Sequence, residues 1–280
     1  MTVRTLITFL VLQLALVACT SKKWDQPDAQ LQHEDAIVGG YEVTPENPEA
    51  AYVVMIYGEK ANGQSYVCTG TFISDSVILT AAHCLSDRLE LMSVFFGVKP
   101  FEVDATTLTL TDMKAYGADL EDYKPDERED MALIAFSGGL PKGAKIAELP
   151  EAVDGLEKAG NLLALGYGRT DGLGDSETMG QDIGILREVL LRQKNVLIKE
   201  NDFTVSQTDK RGVCYGDSGG PAFAVSNHGK SVRVVGVASG VFGSNGSGVK
   251  TDECQGSSIY MRTNHYLEWI TGYVAKQGTK

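Results

Sequence analysis

The sequence predicts an all-β protein of antiparallel strands that ends in one helix. Glycine accounts for 31 of the 280 residues, a share above the usual value of about 7%, and the segments between glycines rarely show helical periodicity. Short runs of apolar and β-branched residues, which are typical of strands, recur between turns rich in Gly, Asp and Asn. These runs cover residues 52–57, 71–80, 131–136, 161–165 and 232–237. A barrel or sandwich in one or two layers fits this pattern.

The closing helix is predicted within residues 264–276. Leu267, Ile270 and Val274 fall there at positions i, i+3 and i+7, so they form one apolar stripe. Hydrophobic residues make up 43% of the chain, which is enough to bury a core. Residues 37–280 are therefore expected to fold as the main domain.

The charge of the chain excludes one class of partner. Its 25 Lys and Arg residues and its 37 Asp and Glu residues give a formal net charge of −12. Binding a phosphate backbone needs clustered Lys and Arg that displace counterions. We therefore expect no nucleic-acid partner.

The first 18 residues are predicted to be a signal peptide. After Arg4, residues 6–18 form an apolar run that is too short to span a bilayer comfortably. The following motif, Leu16-Val17-Ala18-Cys19, resembles the lipobox of bacterial lipoproteins. This resemblance implies that Cys19 is diacylated and that the protein is delivered to the outer membrane. The alternative is a secreted protein with an incidental Cys19, and in either case the chain is exported.

Residues 19–36 are predicted to be a linker or pro-segment. They are polar, and Trp24 is the only large apolar side chain among them. This segment therefore has no core of its own.

A serine lies within a glycine-rich turn at residues 216–221, whose sequence is Gly-Asp-Ser-Gly-Gly-Pro. Glycine permits unusual backbone dihedrals, so Gly216 and Ser218 could direct their N–H groups at one point. Two such donors suit an oxyanion hole. An ordinary glycine-rich turn is the alternative for this segment taken alone.

Two further residues with catalytic side chains stand beside strand-like runs. His83 follows the run that ends at Ala82, and Asp130 stands at the head of the run 131–136. A lone His beside Cys is often structural or a metal ligand. Because no C-x-x-C pair or second nearby His supports zinc, we expect no metal site.

In the order His83, Asp130, Ser218, these segments resemble the chymotrypsin-like (trypsin-fold) serine proteases. The resemblance covers residues 37–280 and includes Ile37-Val38-Gly39-Gly40, Cys68-Thr69-Gly70, Gly166-Tyr167-Gly168 and Tyr266-Leu267-Glu268-Trp269-Ile270. It implies two packed six-stranded antiparallel β-barrels with a catalytic cleft between them. It also implies hydrolysis of protein or peptide substrates through an acyl-enzyme, with no cofactor, and we expect a monomer.

The resemblance assigns roles to the catalytic residues. Ser218 is the nucleophile, His83 accepts its proton, and Asp130 orients the imidazole and stabilises its charged form. Ser239 matches the family serine that hydrogen-bonds this aspartate and receives substrate backbone on its carbonyl. An ordinary strand serine is the alternative for Ser239.

The resemblance also accounts for the five cysteines. It pairs Cys68 with Cys84 and Cys214 with Cys254, and it leaves Cys19 for the lipid.

Activation is expected to follow cleavage between Ala36 and Ile37. In the family, the new N-terminal ammonium pairs with a buried carboxylate, and the matching residues here are Ile37 and Asp217. A buried carboxylate at that place would be costly without such a partner. Ala36 replaces the Arg or Lys found in many family zymogens, so a protease other than a trypsin-type one, or the enzyme itself, would make the cut.

The predicted specificity pocket departs from that of trypsins. Gly212, followed by Val213, replaces the aspartate at the base of the trypsin pocket, so we expect cleavage after neutral residues rather than after Lys or Arg. The walls are Val241 and Ser258, but residues 243–253 look inserted and leave their alignment open. If Val241 intrudes, the pocket is shallow and elastase-like; if Phe242 is the wall, it is deeper and chymotrypsin-like. Tyr215 lines the entrance or is exposed without a role.

Two other functional classes remain as alternatives. One is a catalytically silent family member that binds a partner through the same cleft, although such homologues usually lose a triad residue. The other is a structural envelope lipoprotein, which explains the N-terminus but leaves the triad unexplained.

Overall fold

The computed structural model describes residues 37–60, 63–86, 88–117, 129–151, 156, 159–173, 182–225, 232–243 and 252–278. The predicted signal peptide, Cys19 and the pro-segment up to Ala36 lie outside these residues. The described residues all belong to one compact unit. None of their helices is both long enough and apolar enough to cross a membrane.

The described residues form fifteen strands and one α-helix, besides short 3-10 turns. In chain order they are β1 (Tyr41–Glu42), β2 (Val53–Glu59), β3 (Ser65–Phe72), β4 (Val77–Thr80), β5 (Met92–Phe96), β6 (Thr106–Thr107), β7 (Thr109–Ala115), β8 (Ala132–Ser137), β9 (Leu162–Gly166), β10 (Arg187–Leu191), β11 (Val196–Ile198), β12 (Asp202–Ser206), β13 (Pro221–Val225), β14 (Val232–Phe242), β15 (Ser257–Arg262) and α1 (Leu267–Gln277).

The strands form two antiparallel sheets. The first has the order β6-β5-β2-β3-β4-β8-β7, and the second has the order β1-β10-β9-β13-β14-β15-β12-β11. Without the strands of two or three residues, β1, β6 and β11, each sheet has six strands. The structure therefore confirms the predicted all-β class of two curled six-stranded units, and the short strands extend their edges.

One predicted strand-like run is divided in the structure. Residues 71–80 contain the end of β3, a turn and all of β4, because Ile73 donates its N–H to the Val77 carbonyl and closes a hairpin. Ser74 stabilises the turn by accepting the Ser76 N–H on its hydroxyl. Short polar side chains of this kind favour turns over continued strand.

The C-terminal helix packs against the first sheet. Ile270, in the middle of the predicted apolar stripe, is fully buried. Trp269 makes an edge-to-face contact with the ring of Tyr116, just beyond β7, and the Tyr273 hydroxyl donates to Asp112 on β7 at 2.8 Å. The chain thus leaves the second sheet at β15 and returns to the first.

Candidate active site

His83 and Asp130 meet at one end of the first sheet. Strands β4 and β8 are antiparallel neighbours with Thr80 opposite Ala132, so the residues that follow β4 lie beside those that precede β8. Asp130 accepts the His83 main-chain N–H at 2.9 Å, and its Oδ2 lies 2.7 Å from His83 Nδ1. A carboxylate at this distance favours the tautomer in which Nδ1 carries the proton and donates it to Asp130 as a hydrogen bond, with Nε2 unprotonated.

Ser239, on β14 of the second sheet, contacts the same carboxylate. Its hydroxyl donates to Asp130 Oδ2 at 2.6 Å. The register of β14 against β15 shifts between Ala238 and Gly240, so Ser239 lies in a β-bulge, a feature that redirects a side chain. Burial of Asp130 raises its pKa, but attraction to His83 and the hydrogen bonds from His83 and Ser239 outweigh burial and lower the pKa to about 2. Asp130 is therefore a carboxylate at any ordinary pH.

Ser218 is fixed by main-chain bonds to both sheets. Its carbonyl accepts the Thr69 N–H of β3 at 2.8 Å, and the next residue, Gly219, donates to the Ala238 carbonyl of β14 at 2.7 Å. Gly216 has φ of 98°, a conformation that favours glycine. Within the described part of the chain, the N–H groups of Gly216 and Ser218 have no hydrogen-bond acceptor. Both are therefore available to a ligand.

A cavity of about 240 Å³ opens beside His83 and Ser218. Its walls come from the turn before β13 and from the end of β14. The lining residues are His83, Val213, Cys214, Tyr215, Ser218, Ala238, Ser239, Gly240 and Val241.

The structure separates the predicted substrate-binding residues into two groups. Those that line the cavity are Val213, Tyr215, Ser239 and Val241. Gly212 and Ser258 are not in the lining, and Ser258 is fully buried opposite Val241, on β15. Phe242 is 56% exposed and is not in the lining either. Val241, rather than Phe242, therefore forms the wall.

Tyr215 stands at the cavity with its side chain tied to a carboxylate. Its hydroxyl donates to Glu253, next to the Cys214–Cys254 disulfide. Burial of the ring, together with the bond to Glu253 and the charge of Glu253, raises the pKa of Tyr215 to about 12. The Tyr215 hydroxyl therefore stays protonated near neutral pH, and its hydrogen bond to Glu253 holds the side chain in place.

Asp217 is fully buried. Its two carboxylate oxygens accept the N–H groups of Gly168 and Cys214, each at 2.8 Å. A side chain at Gly166 or Gly168 would overlap this carboxyl group, which accounts for the two glycines of that motif. Burial raises the pKa of Asp217 to about 7, although the two N–H donors and the charge of Arg187 lower it. The carboxylate form is therefore disfavoured in the uncut chain.

Ile37 precedes the strands and packs in the hydrophobic core that the second sheet forms. Its side chain is fully buried and belongs to the same core cluster as Val213. The next carbonyl, that of Val38, accepts the Gly212 N–H at 3.0 Å. The start of the domain therefore lies against the segment that leads to Asp217.

A sequence model of the family described as Trypsin matches residues 37–270. The match covers most of the chain, including every site residue described above. This chain belongs to the trypsin family of serine proteases.

Individual relatives and a solved structure agree with this trypsin-family assignment. Brachyurin of Leptuca pugilator is 26% identical over 244 residues, which cover 84% of this chain and 96% of the relative. Neutrophil elastase of Mus musculus is 24% identical over 243 residues, which cover 85% and 82%. The structure of HL collagenase has a TM-score of 0.61 at 20% identity and covers 85% of this chain and 99% of its own. That likeness supports the fold.

The trypsin-family domain contains both disulfides that the resemblance implied. Cys68–Cys84 fixes the turn that carries His83, and Cys214–Cys254 joins the cavity wall to the segment before β15. The ligand atoms of Cys68, His83 and Cys84 lie within 4.8 Å of one another. The two sulfurs are bonded to each other, so they provide no thiolate for a metal.

The sequence pattern does not mark two residues that the structure places at the site. Arg187, 3% exposed, donates to the carbonyls of Gly168 and Asp182 beside the Asp217 carboxyl group. Gln207 is fully buried against Gly212. Each stands in a short strand or at its end without a local motif, so only the packing of distant segments identifies it.

Proposed function

We propose that this trypsin-family chain is an active serine endopeptidase that cuts protein or peptide substrates through an acyl-enzyme on Ser218. The observation that carries the proposal is the 2.7 Å pairing of His83 Nδ1 with ionised Asp130, at a cavity that Ser218 also lines. A neutral, oriented imidazole is the base that a serine hydroxyl needs to become a nucleophile.

The reaction has two halves. In the first, His83 Nε2 takes the proton from Ser218 Oγ as Oγ attacks the substrate carbonyl, and the N–H groups of Gly216 and Ser218 stabilise the oxyanion. The C–N bond then breaks, and the leaving amine takes the proton from His83. In the second half, water gives a proton to His83 and attacks the ester, which releases the acid and restores Ser218.

We propose cleavage after neutral, small or medium apolar residues. Val213 and Val241 contribute apolar walls, and no carboxylate is among the described residues that line the cavity. The nearby carboxylate of Glu253 accepts the Tyr215 hydroxyl. A Lys or Arg side chain would lose its hydration in this cavity without gaining a counter-charge.

Activation is proposed to follow the cut between Ala36 and Ile37. The new ammonium of Ile37 would supply the cationic partner that buried Asp217 needs, and Ile37 already lies in the adjoining core. Before the cut, a lipid on Cys19 would hold the exported chain at the outer membrane. Because the assigned disulfides leave no cysteine to bind residues 20–36 to the domain, the same cut would release a soluble monomer.

The test is covalent labelling with an organophosphonate serine probe. Processed wild-type protein should take up one equivalent, and Ser218→Ala should take up none. Ser137→Ala, which changes an exposed serine at the end of β8, is the matched control and should label fully. Absence of labelling in the processed wild type would favour a silent binding protein and reject the enzyme.

A further inference from the structure

We infer that Gln207 closes the floor of the specificity cavity from behind the lining residue Val213, to whose main chain its amide is bonded, and that it restricts the residue before the cut bond to small aliphatic side chains. The inference rests on the proposed endopeptidase function and adds the residue that sets its size limit. Four observations carry it: the burial of Gln207, its hydrogen bonds, the space at Gly212 and the composition of the cavity lining.

Gln207 is held between the segment of Val213, which lines the cavity, and the segment of Cys254 and Gly256, which lies outside the lining. It follows directly after β12 and is fully buried. Its main-chain N–H donates to the Gly256 carbonyl at 2.8 Å. Its side-chain Nε2 donates to the carbonyls of Val213, at 3.0 Å, and Cys254, at 2.6 Å, and its Oε1 accepts the Val213 N–H at 2.8 Å.

These bonds use both amide hydrogens of Gln207 and one acceptor position of its oxygen. All of its side-chain partners are main-chain groups of Val213 and Cys254. The amide therefore offers a substrate no free N–H donor and no charge. An amide with three satisfied hydrogen bonds at a fully buried position is also costly to displace, so the side chain is held in place behind the wall.

The amide occupies the space in which a side chain of residue 212 would lie. A Cβ added at Gly212 would overlap Cδ and Oε1 of Gln207. Gly212, Ser258 and Gln207 itself are not in the lining, whereas Val213 is, so the cavity ends at Val213 and the Gln207 side chain lies beneath that end. A neutral residue at position 212 thus does not by itself create a deep apolar pocket, since Gln207 fills the volume that glycine leaves.

The substrate class follows from this filling. A long or aromatic side chain would need the volume that Gln207 holds, whereas alanine or valine reaches only the apolar walls at Val213 and Val241. In the wild-type enzyme, kcat/KM should therefore be at least about 10-fold higher for peptides with Ala or Val before the cut bond than for matched peptides with Phe.

The experiment compares wild type with Gln207→Ala on matched peptides that carry Ala, Val, Leu or Phe before the cut bond. Removing the amide opens the floor, so the ratio of kcat/KM for Phe to that for Ala should rise by about 10-fold or more. Gln207→Met keeps the side-chain volume without the hydrogen bonds and should keep the wild-type ratio. Gln193→Ala is the control: Gln193 is another glutamine, half-buried and just after β10 of the second sheet, and its side chain donates to the Leu156 carbonyl. This change should also leave the ratio unchanged.

Titration with the serine probe gives the concentration of active enzyme, and every rate is divided by that concentration. If wild type neither labels nor cleaves, the proposed function fails. If it labels and cleaves but the Phe to Ala ratio is the same in Gln207→Ala, this inference alone is overturned. Should Gln207→Ala not fold, the wild-type series still decides, because cleavage after Phe as fast as after Ala contradicts a filled floor.

Discussion

The hydroxyl of Ser239 donates a 2.6 Å hydrogen bond to Asp130 Oδ2 and joins the second sheet to the first at the centre of the site. The Thr69 N–H makes a comparable link in the opposite direction, from β3 to the Ser218 carbonyl. The second sheet therefore helps to hold the Asp130 side chain, and the first sheet helps to hold the turn that carries Ser218. The position of His83 and Ser218 at one cavity thus depends on how the two sheets pack.

Ser239→Ala should lower kcat by about 10-fold to 100-fold. The change removes one hydrogen bond to a buried, charged carboxylate, and such bonds contribute roughly 1.5–3 kcal/mol. The measurement is steady-state kinetics on a neutral peptide. Ser137→Ala is the control, and an unchanged kcat in Ser239→Ala would mean that the bond does not help to orient His83.

Ser218→Ala should lower kcat by about 10⁴-fold or more, because only oxyanion stabilisation and binding remain when the nucleophile is removed. Stopped assays over hours, with the same peptide and with Ser137→Ala as the comparison, measure the residual rate. If Ser218→Ala keeps kcat within about 10-fold of the wild-type value, Ser218 is not the nucleophile.

The stability of the uncut chain should fall as pH rises toward neutrality. Burial raises the pKa of Asp217 to about 7 from 3.8, so the folded chain binds this proton more tightly than the unfolded chain does. The stabilisation is complete below the unfolded pKa and is lost as pH rises through the folded one. Between pH 5 and pH 7 the loss is on the order of 2 kcal/mol.

The measurement is urea unfolding of uncut protein carrying Ser218→Ala, which prevents self-cleavage. Adding Asp217→Asn should remove most of the loss between pH 5 and pH 7, because that side chain does not titrate. Protein cut after Ala36 should lack the loss as well, since the Ile37 ammonium favours the carboxylate. Equal pH dependence in the presence and absence of Asp217→Asn would contradict this account.

Digestion of a peptide library should give cuts mainly after small or medium apolar residues. The reason is the apolar lining of the cavity and the neutral residue at Gly212. Mass spectrometry of the products gives the preference directly. Dominant cleavage after Lys or Arg would overturn the expectation and would require a carboxylate from the segment near Asp252 and Glu253.

Fractionation of producing cells should separate two forms. Membrane material should begin at a modified Cys19 and be inactive, whereas soluble, active material should begin at Ile37. A Cys19→Ala variant should lose the membrane form, because lipid attachment is what holds it there. N-terminal sequencing and peptidase assays of both fractions provide the test, and full activity in membrane material with Ile37 still joined to Ala36 would reject it.

Local signals in the sequence predicted the fold class and the candidate site residues, and the family resemblance that rests on the same signals implied the two disulfides. These signals are apolar runs between turns, cysteines at matching positions, and His83, Asp130 and Ser218 each within a short motif. Such motifs mark the required chemistry wherever the chain later places it.

The shape of the cavity depends on how the strands pack against one another. The sequence left Val241 and Phe242 as alternative walls, and the register of β14 against β15 places Val241 inside and Phe242 at the surface. Nothing in the sequence marks Gln207, because a polar residue after a strand is common. Its role depends on contacts with the segments of Val213 and Cys254, which are distant from one another in the chain. A cavity is the space that distant segments leave between them, so its depth depends on packing that no single stretch of sequence encodes.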